Sequence, residues 1–107
     1  MKRQGKQTIT FKNPPLILSS AAVAGPKEGA GPLRKSFDLV LEDNLWGENS
    51  WEKAESKMLL NAVDLALKKA ALTKDNIDYF LAGDLLNQTI SANFAARQLG
   101  IPFLGLY

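Results

Sequence analysis

The sequence predicts an α/β domain in the order β-α-β-α-β, a largely parallel sheet with flanking helices. Three observations point there. Two stretches with apolar residues at helical spacing, about 51–70 and 88–99, alternate with short apolar runs that lack that period, at 16–23, 79–82 and 101–107. Gly and Pro punctuate the joints, in residues 25–32, at Gly83 and at Gly100-Ile101-Pro102. At 46% hydrophobic and 22% charged, the 107 residues have the composition of a packed domain rather than a disordered tail.

The elements follow in order. Residues 1–13 form a basic N-terminal arm and 14–107 the α/β core. Thr8-Ile9-Thr10-Phe11 alternates and predicts a short edge strand, stopped by Asn13-Pro14-Pro15. The run from Leu16 to Val23 is continuously apolar or small, the pattern of a strand buried on both faces. Gly25 to Pro32 reads as a loop. Leu33, Phe37, Val40 and Leu41 fall at helical spacing and predict a short helix over 34–43.

Asn44 to Asn49 reads as a turn carrying Trp46. Ser50 is an N-cap for the longest helix, and Glu52 and Glu55 sit where its positive end favours acids. Ala54, Met58, Ala62, Ala66 and Ala70 form one i+4 row, small enough to let the helix lie close to its neighbour. Thr73 caps one further turn. Tyr79-Phe80-Leu81-Ala82 predicts a strand, 88–99 a second helix with Gly100 at its end, and Ile101 to Tyr107 a third buried strand. Because the sequence stops on a buried-looking strand, the reading expects a truncated fragment. An uncovered sheet face and edge would then drive dimerisation or a molten state.

Composition excludes several chemistries. With no His and no Cys, the chain holds no disulfide framework, no zinc finger and no Cys/His or Ser/His/Asp catalytic site. The net charge of +2 hides an asymmetry: residues 1–35 carry seven Lys/Arg and one acid, whereas 36–107 carry six against ten. The basic opening reads first as a solvated terminus; its charge would also attract anionic lipid or nucleic acid, but no aromatics interleave with its lysines to stack bases, so no nucleic-acid partner is expected. Lys2, Arg3 and Lys6 followed by Ala22-Val23-Ala24 imitate a secretion signal. The polar, Pro-containing spacer from Thr8 to Pro15 argues against one. No apolar run approaches the ~18 residues that span a bilayer, so any membrane association is expected to be peripheral.

Two segments were candidates for ligand chemistry. Gly29-Ala30-Gly31-Pro32-Leu33-Arg34-Lys35-Ser36 is one residue from a phosphate-binding P-loop, with Arg34 where the second glycine belongs. Pro32 also removes a backbone N–H, so an ordinary surface loop is the better reading. The stronger candidate is the turn holding Gly83, Asp84, Asn87 and Gln88. It joins the C-terminal end of a parallel strand to a helix N-terminus, where open α/β sheets place ligands. Asp84, Asn87 and Gln88 either orient a ligand, directly or through a cation, or Asp84 and Asn87 cap the helix. No catalytic residue and no dedicated metal site is expected. Phe37, Trp46 and Trp51 read as satellite core rather than a lid.

Asp75-Asn76-Ile77-Asp78, Gly83 and Asn93-Phe94-Ala95-Ala96-Arg97, with the alanine-rich helix before them, resemble the N-terminal half of the thiolase superfamily. Residues 1–33, 50–59, 78–88 and 94–107 are similar to one sporulation branch of it, found in endospore-forming bacteria. The resemblance implies the first part of a thiolase-like fold about three times this long. It implies a non-enzymatic protein that binds dipicolinic acid, alone or with calcium, and helps load it into the spore. The implied partners are membrane proteins of the stage V sporulation A operon and a second copy in a homodimer. The implied location is peripheral, at the forespore or spore inner membrane. The alternative is a thiolase or ketoacyl synthase-type acyltransferase whose Cys and His lie beyond residue 107.

Overall fold

A computed structural model of the chain describes residues 1–106. Strands β1 (Lys2–Gln4) and β2 (Thr8–Thr10) form an antiparallel hairpin. Strand β3 (Val23–Ala24) leads through a short helix α1 (Pro26–Gly29) and a 3-10 turn at Arg34–Ser36 to β4 (Leu39–Val40), which pairs parallel with it. Helix α2 (Trp51–Lys69) follows, then a 3-10 turn at Lys74–Asn76. Strand β5 (Phe80–Ala82), helix α3 (Ile90–Leu99) and strand β6 (Phe103–Gly105) complete a β-α-β unit with parallel pairing. The mixed α/β class and the parallel pairing agree with the sequence, although the strands form separate pairs instead of one continuous sheet.

Four local expectations change. The apolar run after Pro15 is not a buried strand: Leu16, Ile17 and Leu18 are 80%, 92% and 72% exposed, and only Val23–Ala24 at its end is paired. Apolarity showed that the segment favours cover, but among the described residues no strand lies alongside Leu16 to Leu18 to supply it. The helix expected over 34–43 is a 3-10 turn followed by β4. Ala22 O accepts from the N–H of Asp38 (2.9 Å) and Leu39 (3.3 Å), and Ala24 O from Leu41 N–H (2.8 Å), so pairing outcompetes helical bonding. The loop 25–32 contains α1, with Pro26 at its first turn. The last helix begins at Ile90 rather than 88. Tyr107, assigned to the final strand, lies outside the described residues.

The α2 boundaries follow from their caps. Ser50 Oγ accepts from Lys53 N–H at 3.2 Å. At the other end Leu72 N–H reaches Leu67 O (2.9 Å) and Ala71 N–H reaches Lys68 O (3.0 Å), with Ala71 left-handed at φ 55°. Thr73 and Asn76 form a reciprocal capping box on the next turn. Helix α2 packs against α3 through small residues. Ala54, Ser56, Ser91, Ala92, Ala95, Ala96 and Leu99 are all buried, and Ser56 Oγ donates to Ser91 O at 2.7 Å.

A polar latch fastens the extended segment 19–22 to the C-terminal half of α2. Ser19 Oγ donates to Ala66 O (2.6 Å), Lys69 Nζ donates to Ser20 O (2.9 Å) and pairs with Asp38, and Asp38 Oδ2 accepts from Ala22 N–H (2.7 Å). The hydrogen bond from Lys69, followed by that from Ala22, holds the Asp38 carboxyl below its ordinary value. A lowered carboxyl pKa stabilises the fold above the unfolded value of about 3.9, and this contribution disappears as pH falls through the depressed value. Amide exchange at Ala22 should therefore accelerate below about pH 4, after correction for intrinsic rates, while Ala95 stays protected. Equal protection of Ala22 at pH 6 and at the acid limit would contradict the latch.

The chain exposes more surface than its mass requires. Its accessible area is 8377 Å², against about 5,900 Å² expected for a compact monomer of 11.7 kDa. Its radius of gyration is 16.0 Å, against about 13 Å. The excess resembles the area of a substantial protein interface. Sedimentation of the 107-residue chain should accordingly show self-association, or an expanded monomer that binds a hydrophobic dye. A compact, sharply melting monomer would contradict this.

Candidate functional site

The turn between β5 and α3 is built around three constraints. At Gly83 a Cβ would lie 2.6 Å from the Leu106 carbonyl oxygen, so only hydrogen fits where the chain leaves β5 beside the end of β6. Asp84 then turns its carboxylate back over the start of α3. Its Oδ1 accepts from Thr89 N–H and its Oδ2 from Ala92 N–H, both at 2.8 Å. Thr89, buried and left-handed at φ 63°, is a β-branched residue in a conformation that opposes its own preference. Asp84 and the bond from Asn93 Nδ2 to Thr89 Oγ1 (3.2 Å) hold it there.

Helix α2 supplies the third constraint. Glu52 Oε1 accepts from Asn87 Nδ2 at 2.6 Å, and Glu55 Oε1 accepts from Leu85 N–H at 3.2 Å. The second Glu55 oxygen, Oε2, is buried and has no hydrogen-bond partner among the described residues. The sequence placed Glu52 and Glu55 at the positive end of α2 only. Their second role depends on α2 and the 83–89 turn lying together, and the i,i+3 spacing that puts both on one side of the helix is the signal that could have revealed it.

The four candidate residues therefore separate. Gly83 and Asp84, with Leu85 and Leu106, line a shallow depression of about 360 Å³. Asn87 is turned to Glu52, and Gln88 is exposed next to it. Of the two roles weighed for Asp84, capping is the one its geometry shows. The N-terminus of α3 already has its anion, so a second anion approaching it meets the Asp84 charge, whereas a cation would be attracted. Among the described residues, no three acidic side chains converge closely enough to hold a metal by themselves.

A larger open cleft of about 610 Å³ runs between α2 and α3, with Lys53, Leu60, Phe94 and Gln98 among its lining residues. At its edge Lys57 lies over the Trp46 ring at 4.7 Å, donates to Trp46 O at 2.8 Å and faces Glu48 at 3.7 Å. Trp46 and Phe37 are half-buried, as satellite core residues should be, but Trp51 is 53% exposed. In the P-loop-like segment, Gly29 is buried against Val40, which occupies the place of a Cβ. A strand, β4, follows that segment where a phosphate loop requires a helix.

A family model described as stage V sporulation protein AD matches residues 5–107. The stage V sporulation protein AD of Bacillus subtilis (strain 168) is 49% identical over 107 residues, which cover 100% of this chain and 32% of that protein. The chain thus spans about a third of the length of the curated relative it matches.

Proposed function

Because the chain belongs to the stage V sporulation protein AD family, we propose that it acts in spore formation as the first part of a non-enzymatic, thiolase-like protein that binds dipicolinate. The observation that carries this reading is the family match over residues 5–107. The parallel β-α-β unit from Phe80 to Gly105 is compatible with it. The alternative is a thiolase or ketoacyl synthase-type acyltransferase, whose Cys and His would lie beyond residue 107. The ligand in this proposal is the calcium chelate of dipicolinate, since the Asp84 carboxylate and the nearby Glu52 and Glu55 favour a neutralised dianion over a bare one.

In this proposal the ligand enters the depression lined by Gly83 and Asp84, the Asp84 charge attracts its cation, the exposed Gln88 offers an amide to a carboxylate, and Asn87 offers its own only on leaving Glu52. The protein works beside the membrane proteins of its operon and as a homodimer, peripheral to the spore inner membrane. Among the described residues, no helix is long and apolar enough to cross a membrane.

Thermal melts with dipicolinate and calcium, with acetyl-CoA as the control, test this reading. A ligand at 100 times its dissociation constant adds about 2.7 kcal/mol, a rise of roughly 10–20 °C for a domain of this size. The expected result is a rise with dipicolinate only, reduced in the double variant Asn87→Ala/Gln88→Ala. No shift with dipicolinate, or an equal shift with acetyl-CoA, would overturn binding by these residues.

A further inference from the structure

The N-terminal hairpin is left over by everything described above. Its register sets Lys2 opposite Thr10, Arg3 opposite Ile9 and Gln4 opposite Thr8, so Arg3 and Ile9 share one face while Lys2, Gln4, Thr8 and Thr10 occupy the other. Met1 and Phe11 continue the alternation of the Arg3/Ile9 face. Met1 is 82% exposed, and Ile9 and Phe11 are each 52% exposed. Residues 1–12 carry Lys2, Arg3, Lys6 and Lys12 with no acid. Side-chain hydrogen bonds of this arm run within it, from Arg3 Nη2 to Lys6 O at 2.5 Å and from Thr10 Oγ1 to Lys2 O at 3.1 Å.

We propose that this hairpin is a docking surface for an anionic lipid bilayer. Charge complementarity selects the occupant. The basic arm is drawn to a negative leaflet, while residues 36–107, with ten acids against six bases, are repelled, so the molecule approaches arm first. Met1, Ile9 and Phe11 then enter the headgroup boundary, where exposed apolar side chains lose contact with water. A nucleic acid would satisfy the charges but would take up none of this apolar face, and a single aromatic provides no stacking platform. A two-stranded hairpin is marginal in water, so a surface that fixes one face also stabilises its pairing. The inference deepens the peripheral placement proposed above and rests on that reading only for which membrane is met.

The test is co-sedimentation of the full chain with vesicles of phosphatidylcholine containing about 30% phosphatidylglycerol, compared with phosphatidylcholine alone. Neither arm contains dipicolinate, so this surface and the ligand site fail separately. Each basic side chain near a negative surface contributes about five-fold in affinity, so Lys2→Ser/Arg3→Ser/Lys6→Ser should weaken binding on the order of 100-fold. The double variant Ile9→Ser/Phe11→Ser should weaken binding at high salt, where charge attraction is screened. Both variants should keep the wild-type helical circular dichroism, since the arm's side-chain hydrogen bonds, including the Arg3–Lys6 bond lost in the triple variant, run within the arm and not to the helices. Wild-type binding by the triple variant, equal binding to both vesicle types, or a preference for a duplex oligonucleotide unaffected by Ile9→Ser/Phe11→Ser would each overturn the proposal.

Discussion

Asp84→Ala should lower the stability of the β5–α3 unit by about 2–3 kcal/mol, a large effect for one exchange outside the apolar core. The half-buried carboxylate accepts two backbone N–H groups, from Thr89 and Ala92, and among the described residues no other side chain accepts from either. Hydrogen bonds to a charged acceptor contribute about 1.5–3 kcal/mol, and an N-cap removed to Ala costs about 0.5–2 kcal/mol. Thr89 also loses the contact that holds it left-handed. Asp84→Asn keeps one acceptor and turns an NH2 toward an N–H, so it should recover only part of the loss. Urea midpoints for both variants, with amide exchange at Thr89 and Ala92, check the order wild type, Asn, Ala. A loss below about 0.5 kcal/mol in Asp84→Ala would show that the cap is dispensable.

Ala95→Leu should be damaging on a similar scale, by a different route. Ala95 is 0% exposed on the α3 face that carries Ser91, Ala92, Ala96 and Leu99. The seam beside α2 is close enough for Ser56 Oγ to reach a backbone carbonyl of α3. Three added carbons find no space there, and overpacking of this kind typically costs 1–3 kcal/mol. Since most of the buried apolar residues are alanines, little large side-chain volume is available to rearrange. Ala95→Gly provides the comparison, losing about 1 kcal/mol through helix propensity without forcing the helices apart. Denaturation midpoints should rank Leu below Gly. The reverse order would mean that the seam opens freely.

Helices α2 and α3 were legible because their signals are local, whereas α1 falls in a segment that reads as a loop and the helix expected over 34–43 does not form. Ser50, the alanine row of α2, Thr73 with Asn76, and Gly100 each act within a few residues of the boundary they set. The strands were less so. Leu16 to Leu18 and Val40 carry apolar side chains whose meaning depends on what lies beside them. For Val40 that is Gly29 and β3, while Leu16 to Leu18 stay exposed. The candidate turn was located correctly between strand and helix, and the cap by Asp84 was one of the two roles weighed for it. What stayed hidden was the hold exerted by Glu52 and Glu55, about thirty residues earlier in the chain. Their charge is visible in the sequence, but the fold decides which amide each carboxylate meets.

The two parallel pairs have a kinetic consequence. Strand β3 meets β4 across only α1 and a 3-10 turn, and β5 meets β6 across α3 alone. Loop-closure entropy rises slowly with length, so both pairings are early contacts, each able to form without the other. During synthesis the first pair and α2 can assemble while β5 is still inside the ribosome, at elongation rates of roughly 5–20 residues per second. Docking of α3 on α2, with capture of the 83–89 turn by Glu52 and Glu55, then becomes the late step that joins two preformed pieces.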